Sequence, residues 1–305
     1  MKIKHIFYVF YLLLLLIVFD KIFGILFGNQ GKIRKDYIVL SDTLNHVWKK
    51  NHTQKLNLHE ELGEFIFKTN SVGLKNQEIN LIKDKNTTRV MLIGDSFTAS
   101  YDPKKSFKKV LSNKLKHDKN IELINAGVSS YSPVLHYFHY KYLLKKYKPD
   151  IIILSIDVTD IRDDYYYSHL FRYENDNSGD PIGVYPIHKK KKIFTIKGMI
   201  EKNSIFSKYW TIGVLSKYSN IFSYFIFSPK QNMWFRHWAD KDWYPKLKKK
   251  NFNYLDFANG VHKKSDEAYN IMFKHLDKLI NDIEYDGGEV ILSIYPHLEL
   301  LKENN

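Results

Sequence analysis

Gly94-Asp95-Ser96-Phe97-Thr98 follows a short apolar run, the setting in which a serine hydroxyl is presented at the end of a strand. There the Ser96 hydroxyl can be exposed at the sheet edge near the N-terminus of a following helix, whose free N–H groups favour a developing anion. The same serine can instead merely cap that helix, and the pentapeptide leaves both readings open. Ile124-Asn125-Ala126-Gly127-Val128 is a second strand end, in which Gly127 permits close approach of backbone to a substrate and offers its N–H to an oxyanion. A third, Ser155-Ile156-Asp157-Val158-Thr159-Asp160-Ile161-Arg162-Asp163-Asp164, gathers polar groups directly behind a very apolar stretch. Aspartates so placed also suit Mg²⁺, the chief chemical competitor. No Lys-bearing phosphate loop accompanies them, so the reading assigns no metal and no cofactor.

These segments need elements to hold them. Val90–Ile93 reads as a buried parallel strand and Ile121–Ile124, Asp150–Ile156 and Glu289–Ile294 as strands, while Ser106–Lys116, Val134–Lys146 and Ser265–Ile283 have helical period. Alternation of strand and helix predicts right-handed βαβ units, a parallel sheet covered on both faces, and chemistry beyond the carboxyl ends of the strands.

Taken in order, the three strand ends resemble the SGNH, or GDSL-type, hydrolase superfamily. The resemblance extends from Thr69 to about His297. It includes Asn70-Ser71-Val72-Gly73-Leu74, similar to the Asn-x-x-Gly-hydrophobic element that precedes the serine block in relatives associated with bacterial surface polysaccharides. It implies an α/β, flavodoxin-like three-layer α/β/α sandwich and serine-based acyl chemistry without a cofactor. It further implies Ser96 as nucleophile and, through its own N–H, as oxyanion donor, with Gly127 as the second donor. The third donor is usually Asn in an Asn-Asp pair; here the pair is Thr159-Asp160, and the threonine hydroxyl has a shorter reach. Asp95 and Asp160 are then site-supporting residues.

The family's fourth block, Asp-x-x-His, occurs nowhere in this chain. Three readings stand: a truncated or interrupted reading frame, a non-catalytic descendant, or a variant using His262 or His297 as base. For both histidines a structural role, at a helix start and in a loop respectively, competes with catalysis. Without a base the hydroxyl is a poor nucleophile, so slow turnover at best is expected, with no histidine in hydrogen-bonding reach of Ser96.

The 305 residues carry 47 Lys and Arg against 33 Asp and Glu, a net charge of +14, but the lysines are dispersed and no nucleic-acid partner is assigned. The absence of cysteine excludes disulfides, zinc-thiolate sites and thiol nucleophiles. Ile6 to Phe19 is an unbroken apolar run behind a basic start, and with Ile22 to Phe27 it can cross a bilayer if Asp20 and Lys21 lie near an interface. The reading is an uncleaved, single-pass signal anchor with an extracytoplasmic or periplasmic domain; a cleaved signal peptide is the alternative.

The chain thus divides into an anchor at 1–30, a lead-in at 31–85 and a hydrolase-like domain at 86–305, apparently without its C-terminal end. An aromatic-rich insertion occupies about 163–250, in which Trp234, Trp238 and Trp243 suit either a sugar-stacking face or a small extra core, and Lys189 to Lys192 either a solvated turn or an anionic contact. The expected activity is that of an esterase or O-acyltransferase on O-acyl (acetyl) groups of a bacterial surface polysaccharide or other carbohydrate. The alternative is an inactive glycan-binding or polysaccharide-assembly protein on the same scaffold.

Overall fold

The computed structural model describes residues 3–26, 37–57, 64–100, 102–118, 120–174, 179–186 and 254–295, together with Ser219 and Ile221. Residues group into one unit formed by 1–35 with 191–249 and another formed by 36–190 with 250–305. The first contains helix α1 (Ile3–Leu26), of which the 20 residues Phe7–Leu26 are long and apolar enough to cross a membrane. A membrane anchor and an N-terminal signal sequence share that property. Within this unit the Asp20 carboxylate accepts hydrogen bonds from the Ser219 hydroxyl at 2.7 Å and the Ile221 N–H at 3.0 Å.

The second unit begins with two antiparallel hairpins, β1 (Ile38–Ser41) with β2 (Asn45–Trp48) and β3 (Thr53–Asn57) with β4 (Glu64–Lys68). The segment expected as a lead-in is therefore structured, and its Trp48, Phe65, Phe67 and Leu74 are buried in the same apolar core as the central sheet. On β4 only every second side chain, Phe65 and Phe67, is inward, the period-2 pattern of a half-covered strand.

There follow β5 (Thr88–Ile93), α2 (Ser96–Ala99), α3 (Phe107–Lys114), β6 (Ile121–Asn125), α4 (Pro133–His139), β7 (Ile151–Asp157), α5 (Asp160–Ser168), the short pair β8 (Phe171–Arg172) and β9 (Gly183–Val184), α6 (Tyr254–Ala258), α7 (Ser265–Tyr285) and β10 (Glu289–Tyr295). The four strands β10-β7-β5-β6 lie side by side in that order and are parallel throughout. Numbered along the sheet's own chain order this is 2-1-3-4 read from the β6 edge, the flavodoxin-like arrangement, with its switch point between β5 and β7. Right-handed crossovers then place α3 on one face and α4, α5 and α7 on the other, and these last three pack on one another.

Val90 to Ile93 on β5 and Ile152, Leu154 and Ile156 on β7 are buried, as central strands covered on both faces require. Helix α7 buries Ala268, Met272, Leu276, Leu279 and Ile283, one stripe at three- and four-residue spacing. The segment expected to be helical over Val134–Lys146 is helical, as α4 to His139, then with wider π-type winding over Tyr140–Leu144 and a tight 3-10 turn over Lys145–Tyr147. Helix α5 runs into the start of the insertion expected at about 163–250. Its Ile161 and Tyr165 form a second small core with Phe257, Ala268 and Met272, contacts its polar sequence does not announce.

Candidate active site

The site is built where β5, β6, β7 and β10 end. After β5 the chain turns at Gly94, and Asp95 caps α2 by accepting the Phe97 N–H at 2.9 Å. Ser96, half-buried, donates its hydroxyl to Asp95 Oδ2 at 3.3 Å. The other Asp95 oxygen also accepts the phenol of Tyr295, the last residue of β10, at 2.8 Å, and the Tyr295 ring meets Phe97 edge-on at 5.1 Å. Burial raises the Asp95 carboxyl above its ordinary range, and the nearby charge of Asp157 adds to this; the Phe97 N–H, the Tyr295 phenol and the Ser96 hydroxyl pull it back.

A cleft of about 250 Å³ opens here, lined by Asp95, Ser96, Phe97, Ser130, Tyr131, Asp157, Thr159, Arg162 and Asp163. The structure thus brings Ser96, Asp95 and Thr159 to one place from segments distant in sequence. Thr159, however, spends its hydroxyl on Asp157 Oδ1 at 2.6 Å, and its N–H goes to the same oxygen at 2.7 Å. Asp160 is buried beneath, where its Oδ2 accepts the Asp157 N–H at 3.1 Å. Burial, followed by the charges of Asp157 and Asp164, raises its carboxyl well above the usual range. Asp163 is also raised by burial, against the pull of Arg162, which reaches it at 2.8 Å.

Gly127 needs a different account from the one its residue type suggested. It does not line the cleft; a Cβ on it would fall 2.4 Å from the Ala99 nitrogen, so glycine is required for packing against α2. Its N–H, expected as an oxyanion donor, is donated to Asn125 Oδ1 at 2.9 Å. Asn125 also donates to the Thr98 carbonyl at 2.9 Å, bracketing the helix that carries Ser96. Its bond to Gly127, two residues on, is a turn that Asn favours locally, but its reach to the Thr98 carbonyl arises only on folding.

The lead-in motif braces the same helix. Asn70 Oδ1 accepts the N–H groups of Val72 and Leu74 at 3.2 and 2.8 Å, closing a loop in which Gly73 has φ of 88°. From that loop the Lys75 ammonium reaches the Ser100 carbonyl at the end of α2, and Asn76 bonds both the carbonyl and the N–H of Asn125, at 2.6 and 3.0 Å. Burial lowers Lys75 to a pKa of about 7.

No histidine among the described residues is hydrogen-bonded to the Ser96 hydroxyl. His262 stacks on Phe257 at 4.1 Å and accepts the Lys264 N–H at 3.2 Å, a helix-start position rather than that of a base. His297 lies outside the described residues, as do Lys189 to Lys192, Trp234, Trp238 and Trp243. No group of three or more potential ligand side chains with metal-binding geometry occurs among the described residues.

Asp164, one turn along α5, supports the site from behind: its Oδ1 accepts the Val134 N–H at 3.0 Å and so caps α4. Burial pushes its carboxyl up to about 8 from an ordinary 3.8. The folded chain keeps this proton where the unfolded chain has lost it, so the associated stability is present at low pH and is lost as pH rises through that interval. Asp164→Asn keeps the acceptor and removes the titration. Urea unfolding at pH 5 and pH 8 is expected to show the variant gaining about 1–3 kcal/mol on the parent at the higher pH, each pKa unit corresponding to about 1.4 kcal/mol. An unchanged difference between the two pH values would refute this assignment.

No protein-family model matches the chain, and no curated protein matches it. Among solved structures it is similar to AlinE4, an SGNH-hydrolase family esterase, with 28% identity over 24% of this chain and 42% of that one, at a TM-score of 0.22. It is similar to a catalytic mutant of Axe2, an acetylxylan esterase from Geobacillus stearothermophilus, with 19% identity over 28% of this chain and 45% of that one, at a TM-score of 0.22. A mutant of esterase AlinE4 matches with 19% identity over 63% of this chain and 98% of that one, at a TM-score of 0.24. The chain spans less than half the length of the first two of these structures.

Proposed function

We propose that this protein is an SGNH-type serine esterase or O-acyltransferase that removes or transfers O-acyl groups on a carbohydrate, with Ser96 as the nucleophile. The observation that carries the reading is the Ser96 hydroxyl, half-exposed in a cleft at the carboxyl edge of a parallel sheet and hydrogen-bonded to a carboxylate. In this reading Ser96 attacks the ester carbonyl, its own N–H receives the oxyanion, and the Asn70–Asn76 brace with Asn125 holds α2 in place. An acyl-enzyme results, and water or a sugar hydroxyl takes the acyl group from it. The apolar helix at the N-terminus suits an enzyme anchored to a membrane, acting outside it on an acetylated surface polysaccharide.

The test is turnover of an aryl acetate and of an acetylated oligosaccharide by the full chain and by Ser96→Ala. Slow release of acetate by the parent, lost in the variant, is the expected result. A second reading, a non-catalytic glycan-binding or polysaccharide-assembly protein, is favoured by one specific finding. The Thr159 hydroxyl and the Gly127 N–H, both candidate oxyanion donors, are held by Asp157 and Asn125. No acetate release by the parent, with oligosaccharide binding that Ser96→Ala leaves intact, would establish it in place of the enzyme.

A further inference from the structure

Ser96 is left with one question that the acyl chemistry cannot avoid: where its proton goes. A serine hydroxyl becomes a competent nucleophile only when a neighbouring group accepts that proton as the new bond forms. The hydrogen bond that the Ser96 hydroxyl donates runs to Asp95 Oδ2. Both groups line the same cleft, so the carboxylate stands beside the reacting atom rather than behind another side chain. Its second oxygen is occupied by the Phe97 N–H and the Tyr295 phenol, which fix its plane and leave Oδ2 turned to Ser96. At 3.3 Å the bond is long, as catalytic hydrogen bonds commonly are before substrate tightens them.

We propose that Asp95 is the proton acceptor for Ser96, with Tyr295 as the residue that positions it. The inference rests on Ser96 being the nucleophile of the proposed acyl chemistry. In acylation the Ser96 oxygen bonds to the ester carbonyl carbon and its proton passes to Asp95 Oδ2. Collapse of the tetrahedral intermediate breaks the bond to the leaving alkoxide, which takes the proton from Asp95. In deacylation water, or an acceptor hydroxyl, gives its proton to Asp95 while attacking the acyl carbon, and the proton returns to the Ser96 oxygen as it departs. No oxidant, metal or further reactant enters.

Acceptor strength depends on the groups facing Asp95. Asp157 from β7 and Asp160 and Asp163 from α5 are carboxylates coupled to it, Tyr295 faces it from β10, and Arg162 lines the same cleft. Burial, and after it the charge of Asp157, makes the charged form of Asp95 dearer and the carboxylate a better base than an exposed aspartate. The Tyr295 phenol opposes them by donating to the charged form. Removing that phenol therefore moves the onset of reactivity to higher pH.

The experiment uses the full chain in detergent and a fluorophosphonate probe, which replaces its fluoride with the Ser96 oxygen and is read by intact mass. The parent is expected to be labelled, and Ser96→Ala not. Asp95→Asn, which keeps an acceptor for the Phe97 N–H, is expected to label about 100-fold more slowly, a typical contribution of general-base catalysis. Tyr295→Phe is expected to retain labelling with its pH profile displaced upward. Labelling of Asp95→Asn at the parent's rate, or an unmoved profile in Tyr295→Phe, overturns the role of Asp95 and leaves Ser96 as nucleophile standing. Absence of label on the parent at every pH overturns the acyl chemistry itself. Should Asp95→Asn fail to fold, the Tyr295→Phe profile decides alone, since a purely structural phenol would alter stability without moving a pH midpoint.

Discussion

Gly127→Ala is expected to cost about 3 kcal/mol or more, a loss of roughly 6–12 °C in melting temperature for a domain of this size. The added Cβ would stand 2.4 Å from the Ala99 nitrogen, 2.8 Å from the Thr98 carbonyl carbon and 2.9 Å from the Ala99 Cα. All three are backbone atoms of the helix that carries Ser96, so no side chain can swing aside. Either α2 moves or the segment after β6 moves. The second choice also pulls the Gly127 carbonyl from the Trp48 indole N–H, which it accepts at 2.9 Å. Because Gly127 is not among the positive-φ glycines, alanine can adopt its backbone conformation and the cost is one of space alone. Alanine retains the N–H, so a glycine needed only as an oxyanion donor would tolerate the change. Thermal unfolding of the variant distinguishes the two: a drop of less than about 2 °C would show that the close approach to α2 is not what demands glycine.

Arg89→Ala is expected to destabilise by about 2–4 kcal/mol, because the Tyr147 and Asn80 carbonyls lose their donors, while Glu122, 34% exposed, can turn to water. Arg89 lies near the start of β5 with 1% of its surface exposed. It bonds Glu122 on β6 at 2.7 Å, the Asn80 carbonyl at 2.9 Å and the Tyr147 carbonyl. One guanidinium therefore joins two strands and two loops. Arg89→Lys is expected to recover little, because an ammonium on a single stem cannot donate in three directions held by a planar fork. These contacts are at the amino end of the strands, opposite Ser96. Chemical unfolding should thus shift while labelling of Ser96 in the folded fraction does not, whereas Gly127→Ala should impair both. A destabilisation below about 1 kcal/mol for Arg89→Ala would show that water satisfies the carbonyls after all.

The Asp95–Tyr295 pair links the first strand of the sheet to the last. Ser96 is consequently held by both the earliest and the latest parts of the parallel sheet to be made, and its chemistry depends on completion of the fold. The lead-in contributes in the same way through Lys75 and Asn76, which reach α2 and Asn125 from a loop made before any sheet strand.

What the sequence by itself determined is what local pattern can encode. Apolar runs at Val90–Ile93 and Ile151–Leu154 and the three- and four-residue stripe of Ser265–Ile283 follow from burial on both faces or on one. The parallel order and the meeting of Ser96 with Thr159 follow in turn from the single hand of βαβ crossovers. Tertiary structure alone decided which distant donors and acceptors find each other. Asn125 takes the Gly127 N–H and Asp157 the Thr159 hydroxyl across two residues, a local turn that Asn and Asp favour, but nothing in the sequence says that the Asn125 amide will also reach the Thr98 carbonyl or that Asp95 will meet Tyr295. Helix α5 was missed for the same reason, since its Tyr165 is apolar surface only once Phe257, far along the chain, lies against it. A hydrogen bond is a matter of a few tenths of an ångström and of direction, set by how whole strands and helices pack, and residue type at a spacing fixes neither.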